Sequence, residues 1–218
     1  MKYNLPKGYL SYSSMNLWKT SKDQFRKKYY GSESYDIDTP YTRFGKMIAE
    51  TLEDKKKTKA HPVLSTIPLY PVREQVLIHT VEDVPVKGYI DSFCKRHKRI
   101  IEIKTGIMKD GIPPWDSVKV RKHEQIRLYS MLVKEIFGSV HPTVKLIWLE
   151  TCWKEQCEDT IFNGVTFKRC SPGLDLTGHF QVFERVIEDW EHEYIKKEIV
   201  RIASEISEDY SRYLSFST

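Results

Sequence analysis

With 218 residues, 40% of them apolar and 12% aromatic, the chain is long enough for one domain with a substantial core and too apolar to be disordered. A net charge of +5 permits a polyanionic partner without requiring one. No apolar run approaches the ~20 residues that span a bilayer, Met1 to Tyr9 lacks the apolar core of a signal peptide, and the cysteines Cys94, Cys152, Cys157 and Cys170 show no C-x-x-C spacing. The expectation is an intracellular, reduced protein with no membrane partner, no disulfide framework and no structural zinc.

Ser13 or Ser14 predicts the cap of a helix from about Met15 to Tyr30, with Leu17, Trp18, Phe25 and Tyr29 apolar. Lys19, Lys22, Arg26, Lys27 and Lys28 make it basic. Such a face is either simply solvated or, with aromatics interleaved, a nucleic-acid surface. Gly31 to Pro40 is a loop. Thr42 to Lys57 predicts a second helix that carries Glu50 and Glu53, ending in the basic run Lys55 to Lys59. Pro-interrupted His61 to Pro71 is not helical, and His61 reads as an exposed loop histidine. Glu74 to Val81 alternates as a strand.

Val86 to Phe93 and Ile100 to Ile103 then predict two strands about the charged turn Lys95-Arg96-His97-Lys98. Side chains alternate faces, so Glu102 and Lys104 point one way and Ile101 and Ile103 the other. A hairpin centred between Arg96 and His97 sets Asp91 opposite Glu102, roughly 5 Å apart between Cβ atoms, where like charges repel. A divalent cation would turn that liability into a site: carboxylate oxygens suit Mg²⁺ or Mn²⁺, and Lys104 offers a positive charge to a phosphate or a water. The competing reading is a polar hairpin face with no ligand.

After a loop, Asp116 to Phe137 predicts a helix with Gln125 and Tyr129 one turn apart on one face, closed by Gly138. Val144 to Trp153 is an apolar strand, so strand, helix and strand imply a βαβ crossover with a parallel pair. Asp159 to Arg169 predicts another strand. A helix from Leu176 or His179 to Ser204, with Phe180, Phe183, Ile187, Trp190 and Tyr194 at helical spacing, and a short helix capped by Ser207 complete one α/β domain. Its parts are residues 1–60 (helices), 74–153 (core) and 176–214 (helices).

Several stretches, in this order, resemble the RecB-like branch of the PD-(D/E)xK nuclease superfamily, which includes phage lambda exonuclease and the CRISPR adaptation nucleases. L-S-Y-S-S-M-N-L-W resembles the family's leading helix, F-G-K-M-I-A-E-T-L-E its G-x-x-x-H-x-x-L-E helix, G-Y-I-D and E-I-K-T-G its catalytic core, and Gln125 with Tyr129 its Q-x-x-x-Y. The resemblance spans Leu10 to about Trp153. It implies a mixed central sheet flanked by helices, with a restriction-endonuclease-like core. One or two Mg²⁺ or Mn²⁺ ions would bind Asp91, Glu102 and the Ile103 carbonyl. Lys104, Gln125 and Tyr129 would complete the catalytic set, and Lys19, Lys22, Arg26, Lys27, Lys119, Arg121, Lys122 and Arg127 would hold DNA. Ala49 stands where the family has a histidine, so Glu50 or Glu53 would have to stand in. The cysteines of an iron–sulfur cluster are missing, and none is expected. The implied activity is metal-dependent hydrolysis of DNA, an exonuclease rather than an endonuclease. The alternative is an inactive DNA-binding or scaffold module of the same fold.

Overall fold

The computed structural model describes residues 2–31, 39–138, 141–153, 160–162, 165–167 and 173–217. A five-stranded mixed sheet runs in the order β1 (Val72–Val81), β2 (Val84–Cys94), β3 (Arg99–Ile107), β4 (Thr143–Trp153) and β7 (Leu174–Val186). β3 and β4 are parallel and the other neighbours antiparallel. Two short antiparallel strands, β5 (Thr160–Phe162) and β6 (Val165–Phe167), stand apart. The fold class is therefore α/β, as the strand–helix–strand pattern predicts.

The residues of β3 split between two cores. Ile100 joins the larger one with Ile90, Leu132, Val144 and Ile195, whereas Ile101 joins the smaller with Phe44, Ile48, Leu52 and Ile147. Helices α6 (Glu124–Phe137) and α7 (Asp189–Ser217) cover the first face, and α3 (Pro40–Glu53) covers part of the second. Gly88 lets α6 approach β2 closely: a Cβ there would meet Tyr129 and Leu132 at 3.0 Å.

Each of three expected helices is two helices separated by a capping residue. Met15 to Tyr30 divides into α1 (Tyr12–Thr20) and α2 (Lys22–Tyr29) because the Ser21 N–H closes the first while its hydroxyl accepts from the Gln24 N–H and starts the second. Ser11, in a reciprocal box with Ser14, caps α1 in place of Ser13 or Ser14. Asp54 ends α3 and accepts the N–H groups of Lys56 and Lys57, so the basic run is a helix of its own, α4 (Lys55–Ala60). His123 likewise separates α5 (Ser117–Lys122) from α6.

The C-terminal expectation is corrected more deeply. Leu174–Val186 is a strand paired with β4, and Asp189–Ser217 is one helix. The aromatic spacing from Phe180 to Tyr194 fits a helix, yet the first part of that run lies on an edge strand. Ser207 caps nothing; its hydroxyl accepts the Asn4 N–H at 2.8 Å. Of the strand expected over Asp159 to Arg169, residues 159, 163–164 and 168–169 lie outside the described residues.

Candidate active site

β2 and β3 pair through Cys94–Arg99, Phe93–Ile100 and Ser92–Ile101, the register that sets Asp91 opposite Glu102. The ladder then stops. In place of the next backbone pair, the Ile103 N–H donates to Asp91 Oδ2 at 2.6 Å. An extended residue directs its N–H and C=O to the same strand edge, so the Ile103 carbonyl also faces this gap. The opening strands and α3 enclose a cleft of about 280 Å³ lined by, among others, Ala49, Glu53, Glu74, Asp91, Glu102, Ile103 and Lys104.

Glu102 is only 2% exposed, and its two oxygens differ. Oε1 accepts from Lys104 Nζ at 2.7 Å, while Oε2 is buried without a hydrogen-bond partner among the described residues. Lys104 also donates to Gln125 Oε1 at 2.7 Å. Lysine can only donate, so it fixes the amide of Gln125, whose nitrogen then donates to the Tyr129 hydroxyl at 2.9 Å. Glu102, Lys104, Gln125 and Tyr129 thus form one hydrogen-bonded chain from β3 into α6. Tyr129 belongs to the core as well as to this chain.

Burial pushes the Asp91 carboxyl well above the ordinary carboxylate range, and the adjacent Glu102 charge adds to it. Glu102 is raised by burial against the pull of Lys104. For Lys104 burial works against the charge, but Glu102 and Asp91 more than offset it, so the ammonium is held above its usual value. Lys104 is a fixed cation here.

These residues fit a hard divalent cation. Two repelling carboxyl groups, an orphaned carboxylate oxygen and a carbonyl edge are what such an ion neutralises and ligates. Among the described residues no three His, Cys, Asp or Glu side chains stand close enough to cage an ion.

Of the two helix glutamates, Glu53 lines the cleft; Glu50 faces Lys46 at 4.0 Å on the exposed side of α3. His61 is a correction: it is buried, and its Nδ1 accepts the N–H groups of Val63 and Leu64. It shapes the chain after α4.

The expected DNA contacts divide. Lys19 bonds Glu124 at 2.5 Å and Glu198 at 3.4 Å, Lys22 meets Glu205 at 3.1 Å, and Arg26 meets Asp209 at 2.7 Å. These cations staple the N-terminal helices to α7 and its surroundings. Arg127 is buried, in an ion pair with Glu191 at 2.9 Å. Lys119 reaches the Pro114 carbonyl at 3.0 Å. Lys27, Arg121 and Lys122 are exposed.

Sequence reasoning missed Glu74 and an aromatic group formed by Tyr12, Trp115 and His123, with ring centroids 5.4 Å and 4.9 Å from His123. The His123 Nδ1 accepts the Gln125 backbone N–H at 3.2 Å and so caps the start of α6. Burial, then the Lys104 charge, lowers His123 from 6.5 to about 4. The unfolded chain takes up this proton first, so stability present at neutral pH is lost as pH falls from about 6.5 toward 4. His123→Asn keeps a cap but removes the titration. Its melting temperature should fall less than the wild type's over that window, by the equivalent of about 2–3 kcal/mol; parallel curves would refute the assignment.

No family model matches the chain, and no curated protein matches it in sequence. Solved structures do. A phage related exonuclease from Haemophilus somnus 129PT superposes with a TM-score of 0.53 at 13% identity, over 92% of this chain and 83% of that one. A protein named as a candidate exonuclease from Eubacterium rectale gives 0.55 at 11% identity, over the same shares, 92% and 83%. The chain has their fold. At these identities the likeness extends to architecture, so the chemistry must come from the cleft itself.

Proposed function

We propose that the chain is a metal-dependent deoxyribonuclease, acting as an exonuclease on DNA ends. The observation that carries this reading is the buried chain Glu102–Lys104–Gln125–Tyr129, which ends in an unpartnered carboxylate oxygen beside Asp91. Folding alone gives no reason to bury these charges, since a hydrophobic replacement of similar volume is often as stable or more so. The shared architecture with two proteins named as exonucleases supports a nucleic acid as substrate and end-directed action.

Asp91, Glu102 and the Ile103 carbonyl would hold Mg²⁺ or Mn²⁺, with Glu53 at the same cleft in place of the family's histidine. An ion bound there supplies Lewis-acid polarisation of the phosphodiester and a lowered water pKa. The chain's own residues do the rest. Lys104, already charged, cannot take a proton. It neutralises a phosphate oxygen and orients the attacking water, an electrostatic role in a site where burial magnifies charge. Gln125 holds the Lys104 ammonium from its other side, and Tyr129 holds Gln125, so the ammonium is aimed before substrate arrives.

The test is degradation of end-labelled single- and double-stranded linear DNA, with a closed circle as control, in Mg²⁺, in Mn²⁺ and in EDTA. Wild type should cut linear DNA in either metal and spare the circle. Lys104→Ala should lose roughly 10²–10³-fold in rate. Cutting of the circle would make the protein an endonuclease. DNA binding without cutting in either metal would mean an inactive module, with Ala49 the reason.

A further inference from the structure

We infer that Tyr41 and Trp153 form a stacking platform for unpaired bases, which holds the single-stranded part of a DNA substrate at one end of the cleft. This rests on the reading of the cleft as a nuclease site and adds two residues that neither the motif nor the resemblance includes.

The packing does not absorb these rings. Tyr41 is 51% exposed and Trp153 50%, and neither belongs to either core. Burying an aromatic ring is among the largest contributions a side chain makes to a fold, and here it is half withheld. The two meet edge to face, with ring centroids 5.5 Å apart and planes at 72°. In that geometry at least one ring keeps its faces clear of its partner.

Both elements lead to the cleft. Tyr41, Gly45, Ile48 and Leu52 recur at helical spacing along one stripe of α3, and the last three line the cleft. Tyr41 stands one turn before Gly45, about 6 Å along the axis. On the sheet, Ile107 at the end of β3 pairs with Thr151, and Trp153 lies two residues further along the parallel strand β4. Trp153 pairs with Leu174 and Thr151 with Leu176, and these leucines belong to or pack on the smaller core, so Trp153 is on the face that α3 covers. Between the acids and the rings lie Gly45 and Thr105. A Cβ on Gly45 would already touch Thr105 Oγ1 at 3.7 Å, and a longer side chain there would narrow the way.

The surroundings fit a polyanion with bases. The exposed surface of α3 carries Arg43 and Lys46 before its first acid, Glu50. Lys19, Lys22 and Arg26, by contrast, are engaged in ion pairs within the protein. Every base has a π-face, so exposed rings hold a strand whatever its sequence. A duplex covers those faces with neighbouring bases, and an unpaired strand offers them. The occupant is therefore single-stranded. At about 3.4 Å per stacked nucleotide, a few nucleotides span the roughly 12 Å of helix from Ala49 to Tyr41. A second copy of the chain does not fit, because two half-exposed rings fall far short of the roughly 800 Å² that each partner gives to a stable interface.

The experiment is binding of a short fluorescein-labelled oligothymidylate to the full chain in EDTA, read by anisotropy over a range of salt. Trp153→Ala and Tyr41→Ala should each weaken binding about five- to a hundredfold. The slope of log affinity against log salt should stay the same, because a stacked ring neutralises no phosphate. Phe216→Ala, which removes an exposed ring at the far end of α7, should bind as the wild type does. A strand of abasic deoxyribose phosphates, equally charged but without bases, should bind wild type and variants alike. If Trp153→Ala fails to fold, Tyr41→Ala on the exposed first turn of α3 carries the comparison. Unchanged affinity for the oligothymidylate overturns the platform and leaves the nuclease reading standing. An equal loss on the abasic strand overturns stacking as the cause. Weakened self-association with DNA affinity intact would make the rings an interface between copies and overturn the proposal. Rings that hold the strand in a protein that cuts no DNA would keep the platform and overturn the nuclease reading.

Discussion

Asp91→Asn is expected to make the metal-free protein more stable and the enzyme nearly inactive. The wild-type carboxyl is pushed well up by burial and by Glu102, so its charge opposes the fold whenever no cation is present. An asparagine oxygen can still accept the Ile103 N–H, and its amide offers a donor toward the orphaned Glu102 Oε2. Satisfying that orphaned oxygen should gain about 1–2 kcal/mol, which at this chain length is a rise of a few degrees in melting temperature. Activity should fall about a thousandfold, the size expected when several kcal/mol of charge stabilisation goes with the ion. The stabilisation that Mn²⁺ gives the wild type should shrink in parallel, because it depends on binding to the folded state alone. Thermal melts with and without Mn²⁺, beside the DNA assay, decide the matter. A variant less stable than the metal-free wild type would mean that the Asp91 charge supports the fold, and the repulsion inferred from its raised pKa would be wrong.

Opposite signs in stability and activity are what separate a functional residue from a structural one, and they also explain how legible the site is. Asp91, Glu102 and Lys104 can be read from the sequence because they lie on one hairpin, where the turn position alone fixes the register. Gln125 and Tyr129 can be paired because one helical turn separates them. Glu74 cannot be found this way. It reaches the cleft through a local reversal of backbone sign inside β1 and through contact with a helix distant in sequence, and neither leaves a periodic signal. Helix existence was legible and helix breaks were not, because Ser21, Asp54 and His123 fit an amphipathic pattern until their side chains turn back to cap the next segment. The strand Leu174–Val186 reads as a helix in the sequence because the aromatics of an exposed edge strand fall at helical intervals. The basic stripe on α1 and α2 was legible as charge but not as destination. Its partners Glu198, Glu205 and Asp209 lie on α7, a contact made only by the tertiary fold.

Arg127 shows the same limit with the largest stability effect. It donates from Nε to Glu191 Oε1 at 2.9 Å and from Nη2 to the Arg121 carbonyl at 2.8 Å, with its guanidinium over the rings of Trp190 and Tyr194. Arg185 takes the other Glu191 oxygen, which also accepts the Glu188 N–H at 3.2 Å. Glu191 is 0% exposed, and among the described residues it is the one carboxylate in an ion pair with Arg127 and Arg185, which are drawn over the end of α7. Glu191→Ala strands both cations and should cost about 3–5 kcal/mol, lowering the melting temperature by roughly 6–20 °C. Arg127→Met should cost less, since Glu191 keeps Arg185 and the methionine can pack against the Trp190 and Tyr194 rings. That milder variant decides whether Arg127 also serves DNA. An arginine that touches a phosphate contributes about one unit to the slope of log binding constant against log salt. Because Arg127 is buried and paired, Arg127→Met should leave that slope unchanged, while the exposed Lys27, Arg121 and Lys122 remain able to lower it when replaced. A slope reduced by about one unit in Arg127→Met would mean that the Glu191 pair opens on DNA, and that the buried ion pair is a latent contact rather than a brace.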